Sequence, residues 1–89
     1  MREPYLEVTY RHGLPLAAYY YLPRATDQES ARTRRVEPGL VIDFTADGQA
    51  IGIEITAPAK VSLGALNAVL QELGQEPASQ TDLAPVLAA

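Results

Sequence analysis

Asp43 and Glu54 are the residues of this chain best suited to chemistry. Two carboxylates held at a fixed spacing can divide acid and base roles or bind a hard cation. They sit in Leu40-Val41-Ile42-Asp43-Phe44 and Ile51-Gly52-Ile53-Glu54-Ile55, two segments that alternate apolar and polar residues around Asp47-Gly48. A two-residue Asp47-Gly48 loop, with positive φ at both positions, pairs Ala46 with Gln49, Phe44 with Ile51, Ile42 with Ile53 and Leu40 with Ile55. Glu54 is then the diagonal neighbour of Asp43, at roughly 7–8 Å between β-carbons. Carboxylates on an outer strand face are commonly solvated or matched by Arg. No phosphate loop, nucleophile motif or pocket-forming insertion accompanies this pair. A weak enzyme or cation site at Asp43 and Glu54 is therefore the last of three readings, and the chain is expected not to be an enzyme.

The other reactive groups are few. His12 is the only histidine, so a multi-histidine metal site is excluded, and its Gly-Pro surroundings make it a surface residue. There is no cysteine, which excludes disulfides and thiolate metal ligands, and no cofactor is implied. Tyr19 and Tyr21 share one strand face while Tyr20 takes the other. They can stack on bases, but sheet packing or a dimer contact is the favoured use. Arg32, Arg34 and Arg35, with Arg24 across the loop, make one basic cluster, expected to answer the acidic strand face or a partner's carboxylates.

These residues depend on a small set of elements. The hairpin register is strongly specified, because a one-residue slip exposes Ile51, Ile53 and Ile55 together, at roughly 1.5–3 kcal/mol each. Tyr5 to Tyr10 alternates as a strand with Leu6, Val8 and Tyr10 on one face. Arg11 to Pro15 has turn chemistry, and Ala17 to Leu22 is a second strand ended by Pro23. Arg24 to Ser30 reads as a polar loop. Arg32 to Glu37 reads as an edge strand whose charges discourage association. After Pro58 the period changes. Ser62 caps a helix with apolar Leu63, Leu66, Val69, Leu70 and Leu73, and Gly74 ends it. The expected fold is α+β: an antiparallel β-meander of four to five strands with one C-terminal helix packed on its apolar face. Residues 1–75 form the single domain and residues 76–89 a loosely ordered tail or interaction arm.

Composition narrows the function classes. Eighty-nine residues, 47% hydrophobic and 20% charged, describe one small globular domain. A net charge of -4 argues against a nucleic-acid partner. The opening residues lack an apolar leader run and no stretch reaches membrane-span length, so a cytoplasmic location is expected. Six arginines against one lysine suit a GC-rich bacterial genome.

Val36-Glu37-Pro38-Gly39-Leu40-Val41-Ile42-Asp43, then Asp47-Gly48, then Ile51-Gly52-Ile53-Glu54-Ile55 resembles the small bacterial family DUF2283, a domain of unknown function. Tyr10 and Ala17-Ala18-Tyr19-Tyr20-Tyr21-Leu22 fall where that family has a tyrosine and an Ala-Leu-Tyr-type strand, so the likeness covers about residues 5–57. The helix from Ser62 to Leu73 is similar to an extension carried by some members. Where the family often has acidic residues between the first tyrosine and the second strand, this chain has Leu14, Pro15 and Leu16. Some members resemble antitoxins encoded beside small ribonuclease-like toxins. The resemblance thus implies a non-catalytic protein-binding module, with a small toxin as one possible partner. A structural homo-oligomer is the alternative. The candidate interface residues are Tyr19, Tyr21, Asp43, Glu54, Arg34 and Arg35.

Overall fold

The computed structural model describes residues 3–23 and 28–86. Arg24, most of the polar loop after Pro23 and Leu87 lie outside the described residues. Five strands, β1 (Tyr5–Arg11), β2 (Leu14–Tyr21), β3 (Arg32–Val36), β4 (Leu40–Phe44) and β5 (Ala50–Ile55), form one antiparallel sheet. A 3-10 turn at Pro58–Lys60 leads to helix α1 (Leu63–Glu72), and a short helix α2 (Gln80–Leu83) follows. None of the described helices is long and apolar enough to cross a membrane.

The strand order is β1-β2-β5-β4-β3, which corrects the expected meander. Only β3, β4 and β5 run as one. After β2 the chain crosses to the far edge and winds back, so β5 inserts beside β2. Burial drives this order. β5 is the most apolar strand, and the centre of the sheet buries Ile53 and Ile55 completely, at 0% and 1% exposure.

Ile42 faces Ile53 and Leu40 faces Ile55, as the alternation requires. The turn is different. Gly48 N–H donates to the Thr45 carbonyl at 3.0 Å and Thr45 N–H to the Gln49 carbonyl at 2.8 Å, which leaves a three-residue loop, Ala46-Asp47-Gly48. Only Gly48 has positive φ (92°), as expected for a type I turn completed by a left-handed glycine. The Thr45 hydroxyl accepts from Gln49 N–H at 3.0 Å and donates to Asp47, so side chains hold this turn shape. The longer loop shifts the pairing by one, to Phe44 opposite Ala50, and a bulge restores it before Gly52. Phe44 opposite Ile51 is thereby corrected, although Ile51 remains buried. The two-residue loop occurs instead at His12-Gly13, with φ of 53° and 77°.

Helix α1 begins and ends as its sequence signals require. Ser62 Oγ accepts from Ala65 N–H at 3.0 Å. Gly74, at φ 72°, donates to Gln71 O, and Gln75 N–H reaches Leu70 O at 2.8 Å, closing the last turn. Leu66, Val69 and Leu70 meet Ala18, Tyr20 and Ile42 in one core.

Residues 76–86 are not a loose tail. Asn67 on α1 donates to the Ala78 carbonyl at 3.1 Å and accepts from Ala78 N–H at 2.8 Å. Ser79 and Asp82 cap α2 reciprocally. Ala78, Leu83 and Val86 are buried in the same core.

Tyr20 brings an ionisable group into that core at 2% exposure. Burial, and secondarily Asp82, raises its phenol above the usual 10.0. The unfolded chain therefore loses this proton first, and stability present below about pH 10 declines as pH rises through the folded value. Tyr20→Phe should reduce that alkaline decline in urea midpoints without changing the midpoint trend near neutrality. Leu66→Ala, which empties a fully buried position, should cost about 2–5 kcal/mol in the same measurement.

Candidate functional site

The face of the sheet turned away from both helices collects the side chains with chemical potential. Strand pairing arranges them in two rows. One runs Tyr5, Tyr21, Gly52, Asp43, Thr33; the next runs Glu7, Tyr19, Glu54, Val41, Arg35. Each row crosses all five strands, because directly paired residues share a face.

Three tyrosines form a continuous aromatic group on this face. Tyr5 and Tyr21 stack with centroids 4.4 Å apart and planes at 15°. Tyr19 meets Tyr21 at 4.6 Å and 53°. Such pairs contribute about 0.5–1.5 kcal/mol each beyond their burial. The Tyr21 hydroxyl donates to Glu7 Oε1 at 3.2 Å.

Tyr19 leans out of its own row across the backbone of Gly52 and donates its hydroxyl to Asp43 Oδ2 at 2.5 Å. Gly52 is what allows this. A β-carbon built there would overlap the Tyr19 ring and hydroxyl. A glycine inside an apolar strand marks such a close approach. Ile-Gly-Ile at 51–53 carries that signal in the sequence.

The sequence-predicted residues separate into two groups. Tyr19, Tyr21, Asp43, Glu54 and Arg35 share the uncovered face. Glu54 is diagonal to Asp43 as expected, but the Asp43 carboxylate already accepts the Tyr19 hydroxyl. No cluster of three or more His, Asp or Glu able to hold a metal occurs among the described residues. Arg34 turns to the helix side. It pairs with Glu72 of α1 at 2.8 Å and lies 5.9 Å from the centre of the Phe44 ring. Both partners of that ion pair are exposed, and such pairs contribute about 0–1 kcal/mol. The Arg32–Arg35 run is thus divided between faces by strand alternation, and Arg34 does not answer the acidic strand face. Tyr5 and Glu7 join the site although neither was singled out; their alternation with Leu6 and Val8 was the available signal. His12 lies in the exposed β1–β2 turn, apart from these residues.

Gly52→Ala should displace the Tyr19 ring, break its bond to Asp43 and cost about 1–3 kcal/mol in chemical denaturation. Tyr19→Phe keeps the ring and removes only the donor, so a smaller loss of about 1 kcal/mol is expected, with the near-ultraviolet circular dichroism retained in shape.

The family model DUF2283, protein of unknown function, matches residues 17–57. The matched segment runs from Ala17 in β2 through β3, β4 and β5, and so holds Tyr19, Tyr21, Arg35, Asp43, Gly52 and Glu54 but not β1 or the helices. No curated protein and no solved structure matches the chain.

Proposed function

We propose that this chain, a DUF2283 protein, is a non-catalytic protein-binding module that uses the uncovered face of its sheet. The observation carrying this reading is the row of packed tyrosines bordered by Asp43, Glu54 and Glu7, on a face that neither helix covers. Tyrosine is enriched in interface cores because one rigid side chain offers apolar area and a hydrogen-bonding tip. Five strands span roughly 20 Å, enough width for a patch of about 800 Å² on one partner. The commitment of Asp43 to Tyr19 supports a prearranged binding surface over an acid–base pair.

The partner best suited to this face is a basic protein. Three carboxylates against Arg35, in a chain of net charge -4, favour approach by Lys and Arg. The finer form of the proposal is an antitoxin-like role, in which that partner is a small toxin held inactive by the complex. The acidic charge and the tyrosine-bearing face support it.

The test is affinity capture from the native host with the intact chain and with two variants, Tyr21→Ala and Glu54→Lys. A specific partner should be retained by the intact chain and weakened roughly tenfold or more by each variant, with circular dichroism unchanged. Expression of the captured protein alone should slow growth, and co-expression of this chain should restore it. Capture that ignores both substitutions rules out this face; harmless expression of the partner removes the antitoxin form while leaving the binding role.

A further inference from the structure

The two edges of the sheet are built differently. β3 presents Arg32, Arg34 and Arg35 along five residues, a density of charge that blocks strand addition. β1 is longer, Tyr-Leu-Glu-Val-Thr-Tyr-Arg over seven residues, with no proline, no lysine and only two charges. Among the described residues nothing pairs with its outer side. Tyr5 and Tyr10 stand 49% and 54% exposed along it. An open strand of this length and composition is a template for another strand.

We infer that β1 is the self-association edge of the protein, pairing antiparallel with β1 of a second copy to make one continuous ten-stranded sheet. A two-fold axis normal to the sheet requires each residue to face a partner residue on the same side, which leaves few registers. Centring on Glu7 sets Glu7 against Glu7 of the partner subunit, like charges directly opposed. Centring on Thr9 sets Glu7 against the partner's Arg11 and Arg11 against the partner's Glu7, two opposite-charge pairs from one symmetric contact. On the helix side the same register sets the partner's Tyr10 beside Val8. Val8 there walls a cleft of about 270 Å³ with Leu6, Tyr20, Asp82 and Pro85. The exposed Tyr10 ring thereby gains apolar contact. The Thr9-centred register satisfies both charge and apolar surface, so it is the one assigned. The occupant of this edge is a second copy of the chain, and the contact adjoins the tyrosine face, with which it shares Glu7.

The absence of native cysteine makes the test direct. Sedimentation across a concentration series should show a dimer of the 9.6 kDa chain that weakens with salt. Glu7→Arg and Arg11→Glu should each weaken it about tenfold, and the two together should restore it, which a mere folding defect would not do. Thr9→Cys should form an interchain disulfide under mild oxidation, while Thr33→Cys on the far edge should not. A chain monomeric throughout overturns the inference, as does a dimer indifferent to both charge reversals or one cross-linked equally from Thr33.

Discussion

Four residue pairs between β2 and β5 hold this structure together: Ala18 with Ile55, Tyr19 with Glu54, Tyr20 with Ile53 and Tyr21 with Gly52. Every other pairing in the sheet joins strands adjacent in sequence. The β1–β2 hairpin and the β3–β4–β5 meander can each form locally, at a small entropic cost of loop closure. Neither closes a core alone. The β2–β5 seam makes their apolar faces continuous, and that combined face is the surface onto which Leu66, Leu70 and Leu83 pack. A slip of one residue at this seam would turn Tyr20 outward and Tyr19 inward together.

The same seam makes the opposite face. Tyr19 reaches Asp43 only because Gly52, on the strand between them, has no side chain. The aromatic group, the glycine and the carboxylate come from three strands, so their arrangement belongs to the sheet rather than to any hairpin. The Asp43 carboxylate is thereby committed to the Tyr19 phenol. A carboxylate bound by a phenol at 2.5 Å and framed by packed rings is oriented and partly shielded from water. Orientation of that kind lowers the entropic cost of presenting a surface to a partner. The two edges differ in charge: β3 carries three arginines in five residues, whereas β1 carries two charged residues in seven.

Much of the fold was legible because it rests on local chemistry. Ser62 and Gly74 bound α1 through hydrogen bonds that close within a few residues, so their types alone mark the ends. The inward set Leu40, Ile42, Ile53 and Ile55 follows from alternation, since any other register leaves isoleucines in water. The diagonal relation of Asp43 and Glu54 follows from the same pattern. The turn departs from the two-residue expectation for an equally physical reason. Asp-Gly suits both two- and three-residue loops, and the Thr45 hydroxyl, bonded to Asp47 and Gln49, selects the longer one. The bulge then absorbs the extra residue while the hydrophobic register stays in place. Residues 76–86 were illegible because Ala78 and Leu83 are buried by Asn67 and the sheet, not by any periodicity of their own.

The sequence by itself therefore determined the five strands and helix α1, the inward set Leu40, Ile42, Ile53 and Ile55, and the likeness of residues 17–57 to the DUF2283 model. Those features depend on neighbours within a turn or a hairpin. Only the tertiary structure decided that β5 lies beside β2, that Tyr19 bridges to Asp43 over Gly52, that Arg34 and Arg35 serve opposite faces, and that none of the described residues pairs with the outer side of β1. These depend on which apolar strand takes the buried centre of the sheet. That choice is a competition between non-local burials, and no pattern within a single segment records its outcome.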